Sequence, residues 1–256
     1  MSALSVCAVL AIPIALSFRQ NGESEKVSCL KNSHDLHWRR RAQHVGCGLV
    51  IAATYQWFVT DLRTVVVLLC LSCVGLIVLN VVRSRYMKVN DVYMRVLGPL
   101  LRPSEINGLP GSFWFLLGSA IAIALFPKPI AVQRQVFRLS CKNLLHLSVG
   151  DPAAAVVGIS RGSSNRFLPG GKSIAGTIAA FVVCALGSLS LFIFLFRART
   201  WGLTLTMAGM GGICGAVAEV LPLGVDDNLC MPVVSGLLFL IVHRLWFGSL
   251  VFFTVD

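Results

Sequence analysis

Charged side chains are scarce. Asp, Glu, Lys and Arg make up 13% of the 256 residues, against roughly a quarter in soluble domains. Hydrophobic residues reach 56% and mean hydropathy is +0.79, so too little polar surface remains to cover a water-facing domain. Disordered, collagen-like and small disulfide-scaffold proteins are excluded on the same grounds. The chain reads as an integral membrane protein. Carboxylates are scarcer still, 11 against 22 Lys and Arg, for a net charge of +11. In a soluble protein that excess would suggest nucleic acid. In a membrane chain the positive-inside rule and anionic headgroups account for it, so no nucleic-acid partner is expected. Cysteines number nine, an odd count placed mostly inside apolar runs, so no disulfide framework is implied. Cys70-x-x-Cys73 falls mid-span and reads as buried thiols; Cys29, His34 and His37 have only loosely metal-like spacing. There is no internal repeat, no heptad pattern and no low-complexity tract. The absence of inverted repeats removes the main support for an ion-coupled transporter.

What is present in quantity is apolar runs long enough to span a bilayer. They cover Ser2–Phe18, His44–Thr60, Leu62–Val82, Ser112–Phe126, Ser173–Phe196, Gly202–Leu221 and Leu229–Phe247. Ser2–Phe18 lacks the basic flank of a signal peptide and reads as a short first span or signal-anchor. Ile130–Ile159 is ambiguous. Arg134, Arg138, Lys142 and His146 recur every four residues as one basic stripe, which suits either an interfacial amphipathic helix or a span whose basic face lines a polar cavity. The expected architecture is therefore an all-α, polytopic bundle of about 7–8 spans. It divides into an N-terminal segment, 1–43, with a short span and a basic cytoplasmic stretch, and a membrane-embedded domain, 44–256.

If Ile130–Ile159 spans, Arg19–Gln43, Arg83–Gly111, Ser160–Lys172 and Pro222–Asn228 fall on one side. Those segments hold fourteen Lys and Arg, against five on the other side, which places them in the cytoplasm.

Chemistry is concentrated in a few positions. Asp151, Glu219, Asp226 and Asp227 lie at membrane depth or its edge, where carboxylates are expensive and mark an interior site for a divalent metal or protons. Glu219 shares one helical stripe with Gly211 and Gly215, small residues that admit a neighbouring helix. Asp151, in Gly150-Asp-Pro-Ala-Ala-Ala-Val-Val-Gly158, is expected to N-cap a helix opened by Pro152, and the small residues that follow leave room for a ligand. Arg161 to Ser173, with Gly170-Gly171-Lys172-Ser173, has the glycines and cations of a phosphate loop ahead of a helix N-terminus, but not Walker A spacing. Asp226-Asp227-Asn228 offers hard oxygens of the kind Mg²⁺ uses beside substrate phosphates; capping of the following helix is the plainer reading. Arg39-Arg40-Arg41-x-x-His44 could equally be a positive-inside anchor.

Taken in order, Arg40-Arg41-x-x-His44, Gly150–Gly158, Gly171-Lys172-Ser173-x-x-Gly176, Glu219 and Asp226-Asp227-Asn228 resemble the CTP-dependent lipid kinases: the dolichol, phytol and yeast-type diacylglycerol kinases. The likeness runs from about Arg39 to Trp246 and rests on joint order and spacing. Two departures are visible: Arg40-Arg41 stands where the family pattern has Arg-Lys, and the basic stripe precedes Asp151 where that segment is usually apolar.

The resemblance implies phosphoryl transfer from CTP to a lipid hydroxyl, assisted by Mg²⁺ or Ca²⁺. It implies catalytic roles for Asp151, Lys172, Arg40 and Arg41, and nucleotide contacts at Gly158, Arg161, Gly171, Lys172, Ser173 and Gly176. Asp151, Glu219, Asp226, Asp227 and Asn228 become the implied metal donors. His44, Glu105 and Trp114 are the expected lipid contacts, the last two from the Arg102–Ser112 loop and the aromatic run after it. Diacylglycerol is the preferred acceptor, with phytol, farnesol or dolichol next; a cytidylyltransferase, a transporter and a silent scaffold are the competing readings. The implied setting is the endoplasmic reticulum or nuclear envelope, with the site facing the cytoplasm.

Overall fold

The computed structural model describes residues 33–54, 62–102, 105–125, 142–161, 168–194 and 201–247, and the regular structure among them is helical apart from one isolated bridge between Leu168 and Lys172. The expected span Ser2–Phe18, Arg134, Arg138, and Ser163 to Arg166 of the phosphate loop lie outside the described residues.

Helix α1 is Ser33–Ala53. It starts well before the apolar run His44–Thr60 because Arg39, Arg40 and Arg41 continue the same helix, and one helix passes through residues 43 and 44. It is not among the helices apolar enough to cross a membrane. Helix α2, Leu62–Arg85, is apolar on every face. Val67, Leu71, Val74, Val78 and Val81 are exposed on it, as expected of a helix whose outer face meets hydrocarbon. Helix α3, Met87–Val96, is short and amphipathic, and α4, Gly111–Leu125, is apolar but only 15 residues long. Helix α5 is Asp151–Ser160, α6 Ile174–Phe194, α7 Trp201–Val220 and α8 Asp227–Phe247. Among the described residues 4 helices are long and apolar enough to span, over Arg63–Arg85, Ile174–Phe194, Trp201–Val220 and Asp227–Leu245.

The expectation that Asp151 caps a helix is overturned. Residues 142–145 are already helical and pass through a π-turn, His146–Gly150, directly into α5, with Asp151 itself at φ −60°, ψ −50°. Pro152 supplies the reason. A proline ring inside a helix clashes with the carbonyl four residues earlier, and a wider π-turn removes that clash.

Lys142 is 3% exposed, with Nζ 3.1 Å from the centre of the Phe239 ring, and His146 is 1% exposed, with Nε2 3.0 Å from Ser188 Oγ. The described part of the basic stripe is thus buried between α6, α7 and α8 rather than laid on a surface.

Helix α7 is the centre of the bundle, with α6 and α8 against it. A Cβ added at Gly215 would stand 2.6 Å from Cys184 Sγ, so the glycine lets α6 and α7 meet at close range. The same stripe then carries Glu219 to the end of that interface. There α2 ends, α4, α6 and α8 begin, and α7 ends: Arg83 Nη1 donates to Ile106 O at 2.8 Å, Arg102 Nη1 lies 3.7 Å from Asp226, and Lys172 bonds Glu219. The described ends of the four segments grouped together by their basic residues therefore meet at one end of the bundle.

Candidate active site

At that end the chain encloses a cavity of about 320 Å³. Helix α1 supplies Arg40, Arg41 and His44, the π-turn sets Asp151 on the wall, and the turn before α6 supplies Gly171, Lys172 and Ser173. Glu219 comes from the end of α7, and Asp227 and Asn228 from the start of α8. Positions far apart in sequence converge because the end of α7 and the starts of α6 and α8 gather there beside α1. The starts of α6 and α8 add the partial positive charge of a helix N-terminus, which favours an anion.

Lys172 is the hub. Its Nζ donates to Asp227 Oδ2 at 3.0 Å and to the carbonyl oxygen of Glu219, and lies 3.2 Å from Glu219 Oε1. Burial disfavours its ammonium, but the charges and hydrogen bonds of Asp227 and Glu219 outweigh burial, so its pKa is raised above the ordinary 10.5. The turn that delivers it needs Gly171 at φ +74°, a conformation glycine adopts without steric cost. Ser173 Oγ accepts the N–H of Gly176 at 2.9 Å and so caps α6. Gly158 and Gly176 line the cavity, and each also makes room for a neighbour: a Cβ at Gly158 would lie 2.7 Å from Ser173 Oγ, and one at Gly176 would lie 2.6 Å from the Ala154 carbonyl. Burial lowers the pKa of Arg41, and the charge of Asp151 opposes that shift.

Arg40 pairs with Glu105 at 2.8 Å. Glu105 is 6% exposed and sits in a loop whose carbonyls at Glu105, Ile106 and Gly108 all accept from the Arg83 guanidinium. Arg83 in turn lies 4.5 Å from the centre of the Tyr93 ring. Arg102, which sequence reasoning did not single out as a site residue, also lines the cavity. Its membership in an irregular loop gives no periodic signal, and only the fold brings it to Asp226.

Of the implied metal donors, Asp151, Glu219, Asp227 and Asn228 face this cavity and Asp226 does not. Asp226 Oδ1 instead accepts the backbone N–H of Asn228 at 3.0 Å, capping α8. Burial raises its pKa, against the hydrogen bond from Asn228 and the charge of Arg102. Among the described residues no group of three His, Cys, Asp or Glu side chains forms a protein-only metal cage. Asp151, Glu219 and Asp227 line the same cavity, and one or two carboxylates suffice for Mg²⁺, which completes its shell with phosphates and water. Arg161 is exposed at the end of α5, away from the lining.

A second cavity, about 360 Å³, opens beside the first between α1, α2, α3 and α4, and the two share Arg40, His44 and Asn228. Its walls are mainly aliphatic and aromatic, with Leu76, Leu79, Leu101 and Phe115 among them. His44 Nε2 lies 3.0 Å from the Leu147 carbonyl. Of the expected lipid contacts, His44 and Glu105 line this cavity; Trp114 lines neither cavity and packs edge-on against Phe113 at 5.0 Å.

No protein-family profile and no solved structure matches the chain. Curated relatives do. A CTP-dependent diacylglycerol kinase 1 of Schizosaccharomyces pombe is 34% identical over 172 residues, covering 64% of this chain and 74% of its own length. Its namesake in Eremothecium gossypii is 30% identical over 217 residues, 77% of this chain and 64% of the relative. The one in Saccharomyces cerevisiae is 27% identical over 217 residues, 77% of this chain and 70% of the relative. The order of motifs, their convergence on one cationic cavity and these similarities together place the chain in the CTP-dependent lipid kinase family.

Proposed function

We propose that the protein transfers the γ-phosphoryl group of CTP to the free hydroxyl of diacylglycerol, yielding phosphatidate and CDP. One observation carries the reading: a cavity walled by cations and carboxylates shares Arg40, His44 and Asn228 with a larger apolar cavity. A polyphosphate and a lipid could therefore meet without either leaving its own medium. The names of the relatives support CTP as donor and diacylglycerol as acceptor.

Phosphoryl transfer depends mainly on positioning and charge neutralisation. In this reading Arg40, Arg41, Arg102 and Lys172 neutralise the triphosphate, aided by the first N–H groups of α6 and α8. Asp151 accepts the proton of the lipid hydroxyl as its oxygen bonds the γ-phosphorus, and the bond from that phosphorus to the β,γ-bridging oxygen breaks to release CDP. Glu219, Asp227 and Asn228 would hold the metal, with Asp226 capping the start of α8. Mg²⁺ or Ca²⁺ held there would supply charge neutralisation for the triphosphate. Gly158, Gly171, Ser173 and Gly176 shape the floor under the nucleotide.

The setting is an internal membrane, the endoplasmic reticulum or nuclear envelope, with this end of the bundle in the cytoplasm, where CTP is supplied and where the basic loops belong. The 4 apolar helices, α4, the 142–160 segment and the apolar runs outside the described residues support the larger count of about 7–8 spans.

The test is a product assay on purified protein in mixed micelles, with γ-labelled CTP or ATP, Mg²⁺, and diacylglycerol, phytol, farnesol or dolichol. Label passing from CTP into diacylglycerol, and lost in Asp151→Ala, is the expected result. Release of pyrophosphate with no labelled lipid would establish a cytidylyltransferase instead.

A further inference from the structure

The second cavity contains more than hydrocarbon wall. Gln43 and Ser112 line it, on α1 and at the start of α4, opposite aliphatic side chains of α2. Gln43 immediately precedes His44, which belongs to both cavities. The lining of this cavity thus offers a neutral amide and a hydroxyl beside its hydrocarbon. Diacylglycerol carries an ester on the carbon next to its free hydroxymethyl group, whereas a prenol has no carbonyl at all. A carbonyl taken from water into an apolar cavity needs a donor, and a primary amide offers two N–H groups.

We propose that the second cavity is the acceptor-lipid site and that Gln43, with Ser112, selects diacylglycerol by donating to its ester carbonyls. The proposal rests on the lipid-kinase reading above and names the specificity determinant within it. Arg40, His44 and Asn228 face the hydroxyl end of the glyceride, Gln43 and Ser112 its ester layer, and Leu76, Leu79 and Leu101 the acyl chains. The lining offers the three kinds of partner a glyceride needs: charged groups shared with the first cavity, two neutral donors, and hydrocarbon.

Gly75 provides a handle on the cavity that spares its chemistry. It lies on α2 and lines the cavity, and a Cβ added there meets nothing within 4 Å. The first atom of an added side chain therefore meets open space.

The experiment compares full-length wild type with Gln43→Leu, Ser112→Ala and Gly75→Phe in micelles, using three acceptors: 1,2-dioleoylglycerol, its ester-free counterpart 1,2-di-O-oleylglycerol, and phytol. CTP binding by thermal shift confirms that each variant is folded. Gln43→Leu is expected to lower the ratio of kcat/KM for the diester over the diether about tenfold, the size of one neutral hydrogen bond. Ser112→Ala should move the ratio the same way by less, and Gly75→Phe should cut phosphorylation of both glycerides more than tenfold while CTP still binds. An unchanged diester-to-diether ratio in Gln43→Leu overturns the ester-reading role. Undiminished glyceride phosphorylation in Gly75→Phe overturns the assignment of the cavity. If wild type labels phytol and neither glyceride, the diacylglycerol reading fails; if it labels no lipid from CTP, the kinase reading fails, and with it the proposal.

Discussion

Arg40 Nη1 stands 2.8 Å from Glu105 Oε1, with both side chains largely withdrawn from solvent. Glu105 is itself fixed by a loop whose carbonyls are gathered by Arg83 at the end of α2. A chain of contacts thus runs from α2 through the loop to the cation at the boundary of both cavities. The two charges form a largely buried ion pair, and removing one partner strands the other.

Glu105→Gln keeps the shape of the side chain and removes its charge. It is expected to lower kcat/KM for CTP about tenfold to hundredfold, the range of a lost charge-assisted contact. Glu105→Asp should recover part of that loss. Steady-state kinetics check it, and a Gln variant as active as wild type would refute the positioning role of Glu105.

The pKa of Lys172 is raised above 10.5 because Asp227 and Glu219 more than offset its burial. A cation with a raised folded pKa contributes stability that is fully present below its unfolded value and lost only as pH rises through the folded one. From about pH 6 to about pH 9 that contribution is constant, since the whole window lies below a lysine's unfolded value. Lys172→Met should therefore lower Tm at every pH in this window and abolish activity throughout it. A variant as stable and as active as wild type at about pH 8 would contradict the assignment.

Gly215→Val forces a Cβ to 2.6 Å from Cys184 Sγ and 2.8 Å from its Cβ. Overpacking of this kind costs about 1–3 kcal/mol. Gly209, on the same helix, has nothing within 4 Å of an added Cβ, so Gly209→Ala should leave stability equal or slightly raised. Thermal unfolding in detergent reads both; equal effects would mean that the α6–α7 contact is looser than it stands here.

The Arg102 side chain is 48% exposed, with its carboxylate partners at 3.7 Å and 3.9 Å. Exposed pairs of that kind contribute about 1 kcal/mol or less. Arg102→Ala is expected to leave Tm within about a degree or two while raising the KM for CTP several-fold. A large fall in Tm with unchanged KM would assign Arg102 to the scaffold instead of the site.

Several features were legible because they are properties of single segments. The Gly211, Gly215, Glu219 stripe needs only helical spacing to show that a small-residue face leads to a carboxylate, and α6 occupies that face. Asp226 as a helix cap follows from residue type and place, whereas the cap made by Ser173 emerged only from the structure. The cap expected at Asp151 failed because a local rule met a non-local condition: a helix already running through residues 142–150 left nothing to cap. The burial of Lys142 against Phe239 was equally out of reach, since a basic stripe has the same spacing on a surface helix as in an interior one.

Amino-acid order alone determined that this chain lives in a membrane, where its apolar runs lie, which polar residues intrude on them, and which family its motifs resemble. These are sums and spacings along one dimension, set by transfer free energies and helical periodicity. Tertiary structure decided which polar residues share a wall. It brought Arg40 to Glu105, Lys172 to Glu219 and Asp227, and Arg102 to the cavity, and it set an apolar chamber carrying Gln43 beside the cationic one. Those adjacencies depend on which helices pack and at what depth. That is fixed by close-packed contacts between residues dozens to hundreds of positions apart, for which local sequence holds no signal.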